Sequence, residues 1–252
     1  MPAARSKPDP LDQATEVFVK GFGFTRSITH PYVSERVDSM WVLRDAPRKR
    51  AEDYRREEYV VRNLDPAKVD RAVRAKTRGR YAVCAMIGIG ESDLPLRTAY
   101  KALGYRFKVS EPVMMHPLKT ISRVKSPAVI QRVLTRELAD QMAKAAETRQ
   151  ILPEYLVKDA PTRSYVALID GEIVGWVTSV VCAAGNWCAN LFVLPKFRRM
   201  GIASALMSKM LQDDRANGAK RAVLTASHAG AKLYITLGYR QVGSLLLFTP
   251  RK

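Results

Sequence analysis

Apolar positions along this chain recur with two periods, and the switch between them marks its elements. Leu11, Ala14, Thr15, Phe18 and Phe22 fall at helical spacing, which predicts a helix over 11–24 ending near Gly21 and Gly23. Residues 25–39 carry no period and read as a loop with a turn at His30-Pro31, and 40–43 (MWVL) as a strand. Residues 48–62 are dense in charge and predict a helix with Tyr54, Glu58 and Val61 along one side. Asp65-Pro66 is a cap followed by a first-turn proline, opening a helix that turns Val69, Ala72 and Val73 inward. The run YAVCAMI at 81–87 predicts a buried strand, 96–103 a short helix stopped by Gly104, and 105–115 another strand. Gly88-Ile89-Gly90 follows a strand but lacks the third glycine of a phosphate loop, and reads as a turn.

After a stretch over 114–127 with two prolines, which reads as a linker, the pattern begins again. A strand at 129–134 is followed by a helix from Thr135 to Arg149, with Leu138, Met142 and Ala145 inward, and by a short helix at 151–157. Strands at 165–169 and 173–181 flank Asp170-Gly171, a strong hairpin signal. The next strand starts at Trp187 and ends in the apolar run 191–194, stopped by Pro195. A helix follows, with Ile202, Leu206 and Met210 on one stripe and Met207 and Leu211 beside it. A strand at 222–227, a helix around Tyr234 and a closing pair of strands over 239–248 complete the chain. Tyr100-Lys-Ala-Leu103-Gly104-Tyr105-Arg106 matches Tyr234-Ile-Thr-Leu237-Gly238-Tyr239-Arg240 at five of seven positions. Each follows a predicted strand, so the strand–helix–strand unit reads as present twice.

Candidate chemistry concentrates in 190–211, NLFVLPKFRRMGIASALMSKML. Gly201 and Ala203 leave room for close approach to the backbone, and the first N–H groups of a helix are unpaired at the positive end of its dipole. With Arg198 and Arg199 beside them, they suit a pyrophosphate.

The pattern Val193-x-Pro195-x-x-Arg198-x-x-Gly201-x-Ala203 resembles the acyl-coenzyme A signature of the GNAT superfamily of N-acetyltransferases. The resemblance covers the second half well and the first half only at 81–115. It implies an α/β (α+β) fold: a mixed central sheet flanked by helices, in tandem, with a degenerate first domain at 1–117 and a catalytic domain at 118–252. It also implies acetyl-coenzyme A as co-substrate, with no metal. Backbone groups of Leu191, Phe192 and Val193 would hold the pantetheine and the acetyl carbonyl. Arg198, Arg199, Met200, Gly201, Ile202, Ala203 and Ser204 would hold the pyrophosphate. Leu233-Tyr234-Ile235-Thr236-Leu237-Gly238-Tyr239 fits the family pattern for the general acid, which makes Tyr234 the group that protonates the leaving thiolate. Ser227 stands where many relatives carry an asparagine that touches the cofactor. Tyr100 becomes a relic, since its half has no cofactor loop. The base that takes the amine proton is not visible: the cofactor strand has no Asp or Glu, and Glu172, His228, a first-half residue and a water chain all stay open.

Composition narrows the setting. With 42 Lys and Arg against 24 Asp and Glu the formal net charge is +18, much of it in 44–56 and 68–80. Such an excess attracts anions in general, and solvated helix faces and an electropositive funnel for an anionic acceptor are its two readings. No aromatic-rich nucleic-acid signature accompanies it, so nucleic acid is an open but not favoured partner. No membrane span or secretory leader is expected, and Cys84, Cys182 and Cys188 have no metal-site spacing, which together point to reduced thiols and a cytoplasmic location. The expected partner is an amine-bearing small molecule or protein, and monomer and homodimer are equally open. Besides the acetyltransferase, the alternatives are a non-catalytic acyl-coenzyme A sensor or interaction module, and an enzyme acetylating a nucleic-acid-linked amine such as aminoacyl-tRNA.

Overall fold

A computed structural model describes residues 9–251, so the expectation of flexibility for residues 1 to about 10 lies almost wholly outside the described residues. Asp9 accepts the Leu11 amide and caps helix α1 (Pro10–Thr25), which begins one residue before the expected start, on a proline. The helix does not stop at its glycines, because Gly21 is where Trp187 packs against it. The predicted loop after it contains a strand, β1 (Tyr32–Val37), paired antiparallel through a two-residue turn with β2 (Met40–Asp45). The predicted charged helix over 48–62 is also corrected: it is a 3-10 turn at Ala51–Asp53 followed by strand β3 (Glu57–Arg62). The reason is electrostatic. Glu57 and Glu58 are buried in β3, the first held by Arg78 and the Tyr59 hydroxyl, the second by Arg56 and the Tyr32 hydroxyl. Charges that read as a solvated helix face are internal ion pairs.

Helix α2 (Pro66–Lys76) has its Asp65 cap and buries Val69 and Val73, and strand β4 (Tyr81–Gly88) runs parallel to β3. Helix α3 (Leu94–Ala102) leads to strand β5 (Tyr105–His116), so regular structure persists to His116 and the linker starts at 117. The second half begins with β6 (Val129–Arg132) and helix α4 (Arg136–Ala145), capped by Thr135. The predicted helix over 151–157 is only a 3-10 turn at Pro153–Tyr155, because the proline holds Leu152 before it in an extended conformation. Strands β7 (Thr162–Ile169) and β8 (Glu172–Cys182) form the expected hairpin, with Asp170 and Gly171 both at positive φ (50° and 80°). Then follow β9 (Gly185–Val193), helix α5 (Ile202–Ala216), β10 (Ala222–Thr225), helix α6 (His228–Thr236) and β11 (Arg240–Pro250). The predicted closing pair is this single long strand.

Together they make one mixed sheet of 11 strands, ordered β1-β2-β3-β4-β11-β5-β10-β9-β8-β7-β6. The order holds a feature that local patterns do not show. Strand β11 from the end of the chain inserts between β4 and β5, and β5 lies against β10 of the second half. The two strand–helix–strand units thus exchange their closing strands. Helix α1 crosses the join, packing Leu11, Val17 and Phe18 in a cluster that includes Val60 and Cys84 from one half and Val180, Trp187 and Val223 from the other. On the opposite side α5 buries Ile202, Leu206, Met207, Met210 and Leu211, each worth about 1.5–3 kcal/mol by apolar transfer. The linker is pinned along α5, where the Ser208 hydroxyl donates to the Ser122 carbonyl at 2.6 Å and Arg215 donates to the Lys119 carbonyl at 3.1 Å.

No helix among the described residues is long and apolar enough to cross a membrane. All three cysteines are free thiols, and Cys188 lies opposite Ser179 rather than Cys182.

Candidate active site

The site begins where two parallel strands part. β9 and β10 pair only at Asn186↔Ala222 and Trp187↔Val223, and the later residues of β9 have no partner on that side. On its other side β9 carries one extra residue against β8: Trp176 faces Phe192 and Thr178 faces Ala189. Asn190 absorbs the extra residue with φ of 56°, a conformation asparagine tolerates better than most side chains. Its amide donates to Gln150 at 3.3 Å, which ties the bulge to the segment after α4.

Beyond Val193 the chain makes a 3-10 turn at Pro195–Phe197 and reaches α5 through two left-handed residues, Arg199 (φ 67°) and Gly201 (φ 76°). Arg198 braces this turn, its Nε donating to the Val193 carbonyl at 3.1 Å. Gly201 is the N-cap of α5 and no side chain caps the helix, so its first amide groups are left to an external acceptor. A Cβ at Gly201 would lie 3.4 Å from the Lys125 carbonyl oxygen, so the linker also closes on this turn.

These elements form one wall of a cleft of ≈ 900 Å³, and α6 forms the other. Of the residues singled out from the sequence, Leu191, Phe192, Val193, Arg198, Arg199, Gly201, Ile202, Ala203, Ser204, Ser227 and Tyr234 all line it. Met200 is exposed and stands outside the lining. Ser227 also caps α6, its hydroxyl accepting the Gly230 amide at 3.1 Å. His228 and Glu172 are exposed and line neither this cleft nor the cavities described next. Lys232 and Phe197, not singled out from the sequence, join the lining; Lys232 lies two residues before Tyr234 on the same helix. Tyr234 is half-buried, with its ring edge-on to Tyr239 at 5.6 Å. Burial, and then the nearby Cys188, push its phenol well above the usual tyrosine range, so it is a protonated donor at neutral pH. Its counterpart Tyr100 is fully buried and stacked on Phe248 at 4.5 Å.

Two further cavities adjoin the cleft. A gap of ≈ 290 Å³ lies in the splay between β9 and β10, bounded by Cys188, Leu224 and Tyr234 and by Phe22 and Thr25 of α1. A cavity of ≈ 510 Å³ opens on its far side between the two halves, sharing Thr25, Asn190 and Leu191 with the gap. Trp176 and Phe192, stacked at 4.9 Å, help line it together with Arg26, Arg55 and Arg149. Leu191 borders all three spaces.

The comparisons with known proteins agree with this geometry. The sequence profile of the acetyltransferase (GNAT) domain matches residues 160–241. No curated protein matches the chain. Among solved structures, a GCN5-related N-acetyltransferase from Kribbella flavida superposes with a TM-score of 0.67 at 16% identity, over 95% of this chain and 96% of that one. A GCN5-related N-acetyltransferase from Sphaerobacter thermophilus gives 0.58 at 18% identity, over 84% and 76%. A tandem GNAT protein from the clavulanic acid biosynthesis pathway gives 0.54 at 13% identity, over 85% and 80%, in keeping with a tandem arrangement here. The chain therefore carries a GNAT acetyltransferase domain at residues 160–241, which supports an acyltransferase, and it shares its fold with GCN5-related N-acetyltransferases over most of its length.

Proposed function

We propose that the protein is an acetyl-coenzyme A-dependent N-acetyltransferase that moves the acetyl group to a primary amine by direct attack. The observation that supports this best is the cleft itself. It joins the uncapped N-terminus of α5, with Arg198 and Arg199, to a protonated phenol on the facing helix. The residues present fit such a co-substrate: Gly201 offers no side chain to obstruct the backbone, and anions are favoured at a helix N-terminus. Acetyl-coenzyme A would supply the acetyl group as a thioester. Amide groups of Gly201, Ile202, Ala203 and Ser204 would take its pyrophosphate, with Arg199 beside them. The free edge of β9 at Leu191 to Val193 would hold the acyl arm.

In the transfer a C–N bond forms and the C–S bond breaks, its electron pair leaving on sulfur. Tyr234 gives its phenolic proton to that sulfur, and the proton shed by the amine restores the phenol, so protons balance over one turnover. In this reading residues 118–252 are the catalytic half. Residues 1–117, whose Tyr100 is sealed in the core, shape the acceptor side, and the protein acts in the cytoplasm. The decisive experiment is an amine panel followed by release of free coenzyme A thiol, alongside calorimetry with acetyl-coenzyme A. Binding and turnover of at least one amine are expected. Absence of acetyl-coenzyme A binding would remove the proposal.

A further inference from the structure

The cavity between the halves has a lining with a marked bias. Arg26, Arg55 and Arg149 border it, and among the described residues no Asp or Glu lines it, the splay gap or the cofactor cleft. The carboxylates of this region sit behind the wall. Asp45 is fully buried and takes ion pairs from Arg48 and Arg55, while Glu58 takes them from Arg26 and Arg56. Four arginines thus share two carboxylates, and two of the four, Arg26 and Arg55, line the cavity.

The arginines differ in what they have left to give. Arg55 is spent on structure, donating to Asp45, to the Arg26 carbonyl at 2.6 Å and to the His30 carbonyl at 2.9 Å. Arg26 lies over the rings of Phe22 and Tyr32, meets Glu58 only at 3.7 Å, and keeps a buried Nε with no partner. Arg149 is exposed and makes no ion pair among the described residues. A partly exposed guanidinium whose ion pair is long and an exposed one with no ion pair among the described residues can together receive an anion. Between them and the splay run the aromatic faces of Trp176 and Phe192, a surface for an apolar body.

The same bias bears on the amine. Beside cations and partly desolvated, an ammonium is disfavoured relative to the neutral amine that attacks a thioester. A charged lining can therefore assist deprotonation where no carboxylate base is present.

Resting on the acetyltransferase reading above, we propose that the acceptor is a small amine that carries a carboxylate at the far end of an apolar or aromatic body. Its carboxylate would be held by Arg26 and Arg149 and its amine directed through the splay toward Tyr234.

Calorimetry on protein saturated with coenzyme A tests this with para-aminomethylbenzoate, para-aminoethylbenzoate and ε-aminocaproate, each against its own carboxamide, which keeps the body and amine and removes the anion. At least one amino acid should bind about tenfold or more tighter than its amide, in keeping with a charge-assisted hydrogen bond. Arg149→Gln should remove most of that difference, as should Arg26→Gln. Arg149 is exposed, so its variant keeps the test available if Arg26→Gln fails to fold. Amides binding as well as or better than every acid overturn the proposal, as does the absence of measurable binding by all three acids at millimolar concentration. Failure of coenzyme A to bind would instead strike the parent reading, so the two failures are distinguishable.

Discussion

A Cβ placed on Gly21 would lie 2.1 Å from the Cβ of Trp187, so α1 and β9 touch where no side chain but hydrogen fits. Trp187 is also the last residue of β9 paired with β10, and its ring meets Phe18 edge-on at 5.5 Å. The first helix of the chain is thereby seated on the point from which the splay opens.

Gly21→Ala should therefore cost about 1–3 kcal/mol of stability, typical of overpacking, and shift α1 against the splay. Denaturant titration measures the first effect. The second should appear as a change in acceptor KM with acetyl-coenzyme A affinity little altered. Wild-type stability in this variant would mean that the contact yields easily.

Gly201→Glu should abolish acetyl-coenzyme A binding. The residue sits at φ 76°, where an L side chain costs roughly 1–2 kcal/mol, and the new carboxylate would oppose an anion at the α5 N-terminus. Circular dichroism confirms the fold, and unchanged affinity by calorimetry would refute the cofactor assignment.

Tyr234→Phe keeps the ring that packs against Tyr239 and removes only the proton donor. Acetyl-coenzyme A affinity should stay near wild type while kcat falls on the order of 10²–10⁴-fold, the range for loss of a general acid. Full turnover would assign the tyrosine to packing alone.

Asp214 is fully buried beneath the sheet, bound by Arg163 at 2.7 Å and by the Ser179 hydroxyl at 2.8 Å. Burial pushes its carboxyl up, against the pull of Arg163 and Ser179. Removing it strands a guanidinium that is only 5% exposed, so Asp214→Ala should cost about 3–5 kcal/mol in chemical denaturation. A loss near that of a surface pair would contradict this account.

His116 is buried against Tyr239 at 5.2 Å and its Nδ1 accepts the Leu118 amide at 3.0 Å. Burial lowers its pKa below the usual value, so the unfolded chain takes up the proton first as pH falls. Its contribution is complete above about pH 6.5 and is lost between there and the lower folded value. Thermal melts should show a drop across that window, reduced in His116→Asn, which keeps an acceptor for Leu118. An equal drop in both proteins would place the effect elsewhere.

The turn proposed to hold the cofactor was legible because its signature is local. Arg198, Gly201 and Ala203 at fixed spacing after a strand need only a few neighbouring residues to act together, and the lining confirms their proximity. Strand β3 was hidden because Glu57 and Glu58 meet their arginines only in the folded state. The bulge at Asn190 left one weak sign, an asparagine in an apolar strand. The cavity between the halves had none, since Arg26, Arg149 and Trp176 come together only through tertiary packing.

The exchanged strands set an order for synthesis. Both neighbours of β5, which are β10 and β11, are translated after the whole of 117–221. At about 5–20 residues per second, β5 waits on the order of ten seconds with both edges bare. The edge of β4 waits too, since β11 arrives last. Charged positions along β5, among them Arg106, Lys108 and Glu111, guard such an interval, because charge discourages a bare strand from pairing with another chain. The first half cannot complete its sheet before the second is made, so its strands β4 and β5 keep open edges until β10 and β11 arrive.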